Sequence, residues 1–317
     1  MTATFKQVTV TYIFNKMKDL LIVGTGALAT LFAARLAQAG YTITMLGSWK
    51  AGLEALCKDG ARWIDLKGNE HRFEVQATDD PRKCRGIKYA LVLVKAWQTE
   101  HAAAQLRECL ADAPQGLAVS LQNGLGNREA LARSLGLARV ALGVTTTGAT
   151  LLDPGLVREG GEGIISIERH PDLGPVEAAL KSSAFNVHVV EDAQSLIWGK
   201  LVINAAINPL TAILRVPNGK LLELPSAHEM LKALARETAQ VAEAENIQLP
   251  FPDPISAAEE VARRTAANHS SMLQDVLRKA PTEIDAICGA VVRMGQNHNL
   301  DTPANWACWN LVKAMVE

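Results

Sequence analysis

The sequence predicts an α/β protein in which an N-terminal Rossmann-type dinucleotide-binding domain is followed by an all-helical C-terminal domain. Three observations predict it. A short apolar run, "LLIVG" (20–24), ends in a glycine-rich turn that opens a helical pattern. Strand-like and helical runs then alternate as far as about residue 190, the texture of a parallel sheet covered by helices. After Val190 the strand signals stop, and helical patterns broken by "VPNG", "LPFPDP" and "TP" continue to the end.

Taken in order, "ALATLFAARLAQAG" (27–40) has helical periodicity and stops at a glycine, and "YTITML" (41–46) reads as the second strand of a βαβ unit. Further strands are expected at 61–66, 71–78, 89–95 and 116–121, with helices near 98–110 and 127–135. Residues 139–168 are rich in Gly, Thr and β-branched side chains around a "DPG" turn, which predicts antiparallel strands closing the sheet. The expected division is an extension at 1–16, a nucleotide-binding domain at 17–190 and a helical substrate-binding domain at 191–317. Residues 1–16 look dispensable, because "MKDLLIVGTGALA" from Met17 already reads as a full start.

Composition narrows the function classes. The chain has 317 residues, 48% hydrophobic and 21% charged, which suits a packed globule of two domains. A formal net charge of -1 with scattered lysines and arginines argues against a nucleic-acid surface. No run approaches the roughly 20 uninterrupted apolar residues of a membrane span. Five cysteines without paired spacing fit reduced thiols in a cytoplasmic chain. The histidines show no metal-ligand spacing, so no metal is expected. A small-molecule substrate is the partner expected, and a homodimer stays an open alternative.

The turn Gly24-Thr25-Gly26-Ala27-Leu28-Ala29 places glycines where a strand must reverse tightly and where backbone must approach a pyrophosphate. Ala29 keeps helix and strand close, and the helix N-terminus offers unpaired N–H groups to the anion. An NAD-type site usually carries an acid at the end of the second strand. Here that place reads "LGSWK", where Ser48 and Lys50 leave room for a 2'-phosphate, so NADP(H) is the expected cofactor.

"WGKLVINAAINPLTAI" (198–213) raises a different question. At about 100° per residue, Lys200, Asn204, Asn208 and Thr211 fall within about 80° of one another on one helical face. The remaining faces are apolar, so the helix should be buried nearly all round, and Pro209 removes one of its backbone hydrogen bonds. Buried polar groups need partners, which either other side chains or a polar ligand must supply.

Taken together, "GTGALA", "LVKAWQT", "SLQNGLGN", "GVTTTGAT", "WGKLVINAAINPLTAILRVPNGKL", "SSMLQD" and "TEID" resemble, in this order, the ketopantoate reductase (2-dehydropantoate 2-reductase) family over residues 18 to about 313. The resemblance implies NADPH-dependent reduction of 2-dehydropantoate to (R)-pantoate in a cleft between the two domains. It implies that Lys200 is the proton donor and that Glu283 sits near both cofactor and substrate. By the same resemblance, Asn123, Asn204, Asn208, Asn218 and Ser271 bind substrate, with Asn123 also touching cofactor, while Lys95 and Thr150 lie on the cofactor side. Ser48 stands where the family often has arginine, and Pro281 precedes the acid where relatives often carry a glycine–arginine stretch. Two alternatives stay open: reduction of another small branched 2-keto acid, and a catalytically silent dinucleotide sensor, which should have lost Lys200 or Glu283.

Overall fold

The computed structural model describes residues 19–317. The reading of residues 1–16 as an extension lies outside the described residues. The chain order is β1 (Asp19–Val23), α1 (Ala27–Gln38), β2 (Thr42–Leu46), α2 (Lys50–Asp59), β3 (Ala61–Ile64), β4 (Glu70–Phe73) and β5 (Gln76–Thr78). It continues with β6 (Tyr89–Val92), α3 (Thr99–Cys109), β7 (Leu117–Ser120), α4 (Asn127–Leu135), β8 (Val140–Thr145), β9 (Ala149–Asp153), β10 (Leu156–Glu159), β11 (Ile164–Glu168), α5 (Gly174–Ser182) and β12 (Asn186–Val190). The rest is helical: α6 (Gln194–Leu214), α7 (Lys220–Glu223), α8 (Pro225–Ala244), α9 (Pro254–Arg264), α10 (Ser271–Leu277), α11 (Cys288–Asn297) and α12 (Pro303–Ala314).

The large sheet has the order β12-β11-β8-β7-β6-β1-β2-β5. It is parallel from β5 through β8, and β11 joins antiparallel to β8 with β12 parallel beyond it. The central strand β1 is covered on both faces, as a parallel strand must be. Leu20 and Ile22 enter a core with Phe32 and Leu36 of α1, while Leu21 and Val23 enter one with Leu106 of α3 and Leu131 of α4.

Two expectations need correction. The alternating pattern over 71–78 predicts one strand, but β4 pairs with β3 in a separate four-stranded sheet, β4-β3-β10-β9, and β5 is the edge of the large one. A period of two records which side chains are buried, not which sheet buries them, so the pattern runs through the break at Glu74 and Val75. Likewise, only β11 adds an antiparallel strand to the large sheet after 139. β8 is parallel to β7, and β9 and β10 form a hairpin in the small sheet about Gly155, whose φ is +68°.

The helical region is built around α6. Leu201, Val202, Ala205, Ala206 and Leu210 pack among residues of α8, α9, α11 and α12. Small residues let the neighbours come close: a Cβ on Gly199 would stand 2.6 Å from the Pro250 side chain. By length and composition α6 could cross a membrane, yet 67% of its most apolar window is buried inside the protein. The helix continues through Pro209 without a break.

Candidate active site

The glycine turn lies at the C-terminal end of β1, where a doubly wound sheet opens a crevice. Gly24 has φ +131°, and a Cβ there would meet the Leu93 carbonyl oxygen at 3.0 Å, so glycine is required on both counts. Gly26 faces open space, with nothing within 4 Å of its Cβ position. It caps α1 without a side-chain hydrogen bond, and no acid occupies the first turn. The first free N–H groups of α1 therefore point into a cradle that suits a pyrophosphate. Thr25 is buried beneath the turn and packs against Gly47, while Ser48 and Lys50 are exposed beyond β2. Lys50 is the first residue of α2, a helix not anticipated from the sequence, so its charge stands beside a second uncapped N-terminus. The residues present fit a dinucleotide with an extra phosphate on its adenosine end.

The stripe on α6 divides between two kinds of partner. Lys200 reaches out of the helical lobe and donates from Nζ to the Thr145 carbonyl oxygen at the end of β8, 2.6 Å away. Burial pulls its pKa down to about 8, against the field of the Glu283 carboxylate, which holds the charged form. Asn204 is half-buried, and Asn208 is buried one turn further on. Thr211 is fully enclosed and satisfied by protein: its hydroxyl lies 2.7 Å from Ser270 Oγ and donates to the Asn208 carbonyl at 2.9 Å. Side chains thus meet the far end of the stripe, and the end nearest the sheet reaches across the lobes.

Glu283 is the hub of that crossing. It is 5% exposed, in a bend before α11 rather than in a helix, which begins only at Cys288. Its carboxylate accepts from the Ala96 N–H at 3.1 Å and from Asn123 Nδ2 at 3.1 Å. Lys95 Nζ lies 3.9 Å from the same carboxylate and donates to Asp275 Oδ2 on α10 at 2.6 Å. Burial alone would lower the Lys95 pKa; Glu283 and Asp275 together outweigh it and raise it.

The loop that carries Asn123 is docked against the Glu283 turn by backbone. Leu125 N–H donates to the Ala286 carbonyl at 3.0 Å, and a Cβ on Gly124 (φ +79°) would fall 2.6 Å from that same oxygen. Behind the loop, Asn127 Nδ2 donates to the Asn123 carbonyl at 3.0 Å, and Thr99 Oγ1 donates to Asn127 Oδ1 at 2.9 Å. Gln122 Nε2 donates to the same threonine hydroxyl at 2.7 Å. Gln122, Asn127, Thr99 and Asp275 lie inside the stretches that carry the family resemblance, yet the sequence assigns none of them a role, because their partners are distant in the chain and their types are ordinary.

Of the remaining expected positions, Asn218 is buried and donates from Nδ2 to Thr265 Oγ1 at 2.8 Å, while its Oδ1 has no partner among the described residues. Ser271 is exposed as the first residue of α10, and the buried serine beside it, Ser270, caps that helix through Leu273 N–H at 3.1 Å. Thr150 lies in β9, paired with Arg158 of β10. Arg278, just past α10, donates to the Leu151 carbonyl next to it at 2.9 Å, a further link between the lobes. His269 is exposed, and among the described residues no group of His, Cys, Asp and Glu could hold a metal. Lys95, Asn123, Lys200 and Glu283 are therefore brought together, Asn204 and Asn208 continue along the same helix face, and Ser48 and Lys50 belong to the glycine-turn end.

Residues 20–172 match the family model described as ketopantoate reductase PanE/ApbA, and residues 192–316 match its C-terminal companion. A 2-dehydropantoate 2-reductase from Archaeoglobus fulgidus is 37% identical over 305 residues, 95% of this chain and 98% of the relative. The crystal structure of a PanE/ApbA family ketopantoate reductase from Ralstonia eutropha superposes with a TM-score of 0.87 at 29% identity, covering 94% of this chain and 98% of that one. A D-mandelate dehydrogenase solved with NADH and anilino(oxo)acetate superposes with a TM-score of 0.88 at 24% identity, over 94% of this chain and 98% of that one, a likeness of fold.

Proposed function

The chain belongs to the ketopantoate reductase family, and from that premise we propose that it reduces 2-dehydropantoate to (R)-pantoate with NADP(H). The observation that carries the reading is Lys200: an ammonium from the helical lobe, softened to a pKa of about 8 by burial, aimed at the carboxyl end of β8 and steadied by Glu283.

The hydride for C2 of the keto acid would come from the dihydronicotinamide of a dinucleotide held at the glycine turn. The chain's own residues do the rest. Lys200 polarises the C2 oxygen and gives it a proton as its negative charge grows, a transfer suited to a donor with a pKa near the working pH. Glu283 keeps that ammonium charged and oriented, and is itself held by Ala96 N–H and Asn123. Asn204, Asn208, Asn218 and Ser271 offer neutral dipoles to the carboxylate and hydroxyl, which adds no charge to compete with Lys200. On the cofactor side, Gly24 to Ala29 cradle the pyrophosphate, Ser48 and Lys50 take the 2'-phosphate, and Lys95 and Thr150 line the nicotinamide end. In this assignment residues 17–190 hold the cofactor and 191–317 the substrate, with water excluded between them. The free cysteines suit a cytoplasmic enzyme.

The test is NADPH oxidation with 2-dehydropantoate beside 2-oxoisovalerate. Preference for the first is expected. Preference for the second would favour the other reading, a reductase of another branched 2-keto acid, and no turnover with either would refute both.

A further inference from the structure

We propose that Asp275 is a positioning residue: it holds Lys95 on the α10 side of the cleft, leaving the Glu283 carboxylate to act on Lys200. The inference rests on the reading of Lys200 as proton donor.

The geometry is a charge-balance problem. Two ammonium groups and two carboxylates share one buried region. Glu283, from the bend before α11, is the charged group whose field acts on Lys200, and β8 meets that ammonium through the Thr145 carbonyl; Lys95 from the loop after β6, Asp275 of α10 and Arg278 just past it surround the far side of the same carboxylate. Lys95 donates its hydrogen bond to Asp275 at 2.6 Å and stands 3.9 Å from Glu283, so Asp275 is the partner that fixes its position while both carboxylates act on its charge. Asp275 is only 7% exposed, and a carboxylate so buried stays ionised only if a cation meets it. Glu283, by contrast, is held by neutral donors, a backbone N–H and a carboxamide. The division matters. Were Asp275 neutral, Lys95 would have one carboxylate left within reach. Its charge would offset Glu283, and the negative field at Lys200 would fall. Lys200 would then give up its proton at a lower pH.

The two roles separate in a carbon-13 NMR titration of the lysine side chains without cofactor, Lys200 being assigned from its loss in Lys200→Met. Asp275→Asn is expected to move the Lys200 midpoint toward acid by about half a pH unit or more. The double variant Asp275→Asn with Lys95→Met removes one charge of each sign and is expected to return the midpoint close to the wild-type position. Asp275→Glu should also leave it near wild type. The alkaline limb of kcat should follow the same order. A midpoint unmoved in Asp275→Asn, or moved and not restored in the double variant, would overturn the proposal and leave Asp275 a structural residue. A wild-type protein that turns over no 2-keto acid would instead remove the proposed function, with the titration order unaffected.

Discussion

Lys200 sets two opposing demands on one side chain. As the proposed donor it must be protonated, so kcat for reduction should be level below pH 8 and fall as pH rises through about 8, while oxidation of the hydroxy acid rises over the same range. Lys200→Met should lower kcat by about 100-fold or more, measured at pH 7. Stability should move the other way. The folded pKa of about 8 lies below the ordinary 10.5, so between these values the unfolded chain binds more protons, and stability rises with pH across that window. At pH 7 the full cost of burying the ammonium is present, and Lys200→Met should raise the melting temperature. That gain should shrink by pH 9.5, and a variant that melts lower at pH 7 would count against a buried charge. The polar stripe was legible because a period of 3.6 is written in one continuous segment. Its division was not: nothing in "SSMLQD" says that Ser270 would answer Thr211, or that Asp275 would reach a lysine 180 residues away.

Elements place these residues, and the loop after β7 does most of the placing. Gly124 has no room for a methyl group against Ala286 and needs a positive φ, so Gly124→Ala should lift the loop from the Glu283 turn. The expected result is a loss of more than about 1 kcal/mol in denaturant unfolding together with a weakened kcat. At the other end of the crevice, β2 ends without a carboxylate and α2 begins with Lys50. NADPH should therefore exceed NADH in kcat/KM, and Lys50→Ala should narrow the difference by raising the KM for NADPH alone; equal losses for both dinucleotides would place Lys50 outside the phosphate site. The glycine turn and β1 were readable because local sequence fixes a tight turn. The split of 71–78 between two sheets was not, since pairing partners come from other parts of the chain, and neither was α2, whose weak apolar pattern gives little helical signal.

The whole molecule is a sheet lobe and a helical lobe joined at the site itself. Lys200 to Thr145, Asn123 to Glu283, Ala96 to Glu283, Lys95 to Asp275 and Arg278 to Leu151 all cross from one to the other. The fold class was legible at this scale from where strand patterns stop, whereas the crossings are tertiary and carry no local mark. One feature of the sheet lobe acts over a similar reach. Arg35, in the last turn of α1, pairs with Glu159 of β10 at 3.0 Å, donates to the carbonyls of Ser183 and Ala184, and lies over the Phe185 ring. Its helix starts at the glycine turn, so this guanidinium tethers the rear of the same rod whose front would meet the pyrophosphate. Arg35→Leu should loosen grip on the dinucleotide, seen as a higher Kd by calorimetry, from more than two helical turns behind the anion. Tuning of cofactor affinity in this chain is thus open to residues that never touch the cofactor.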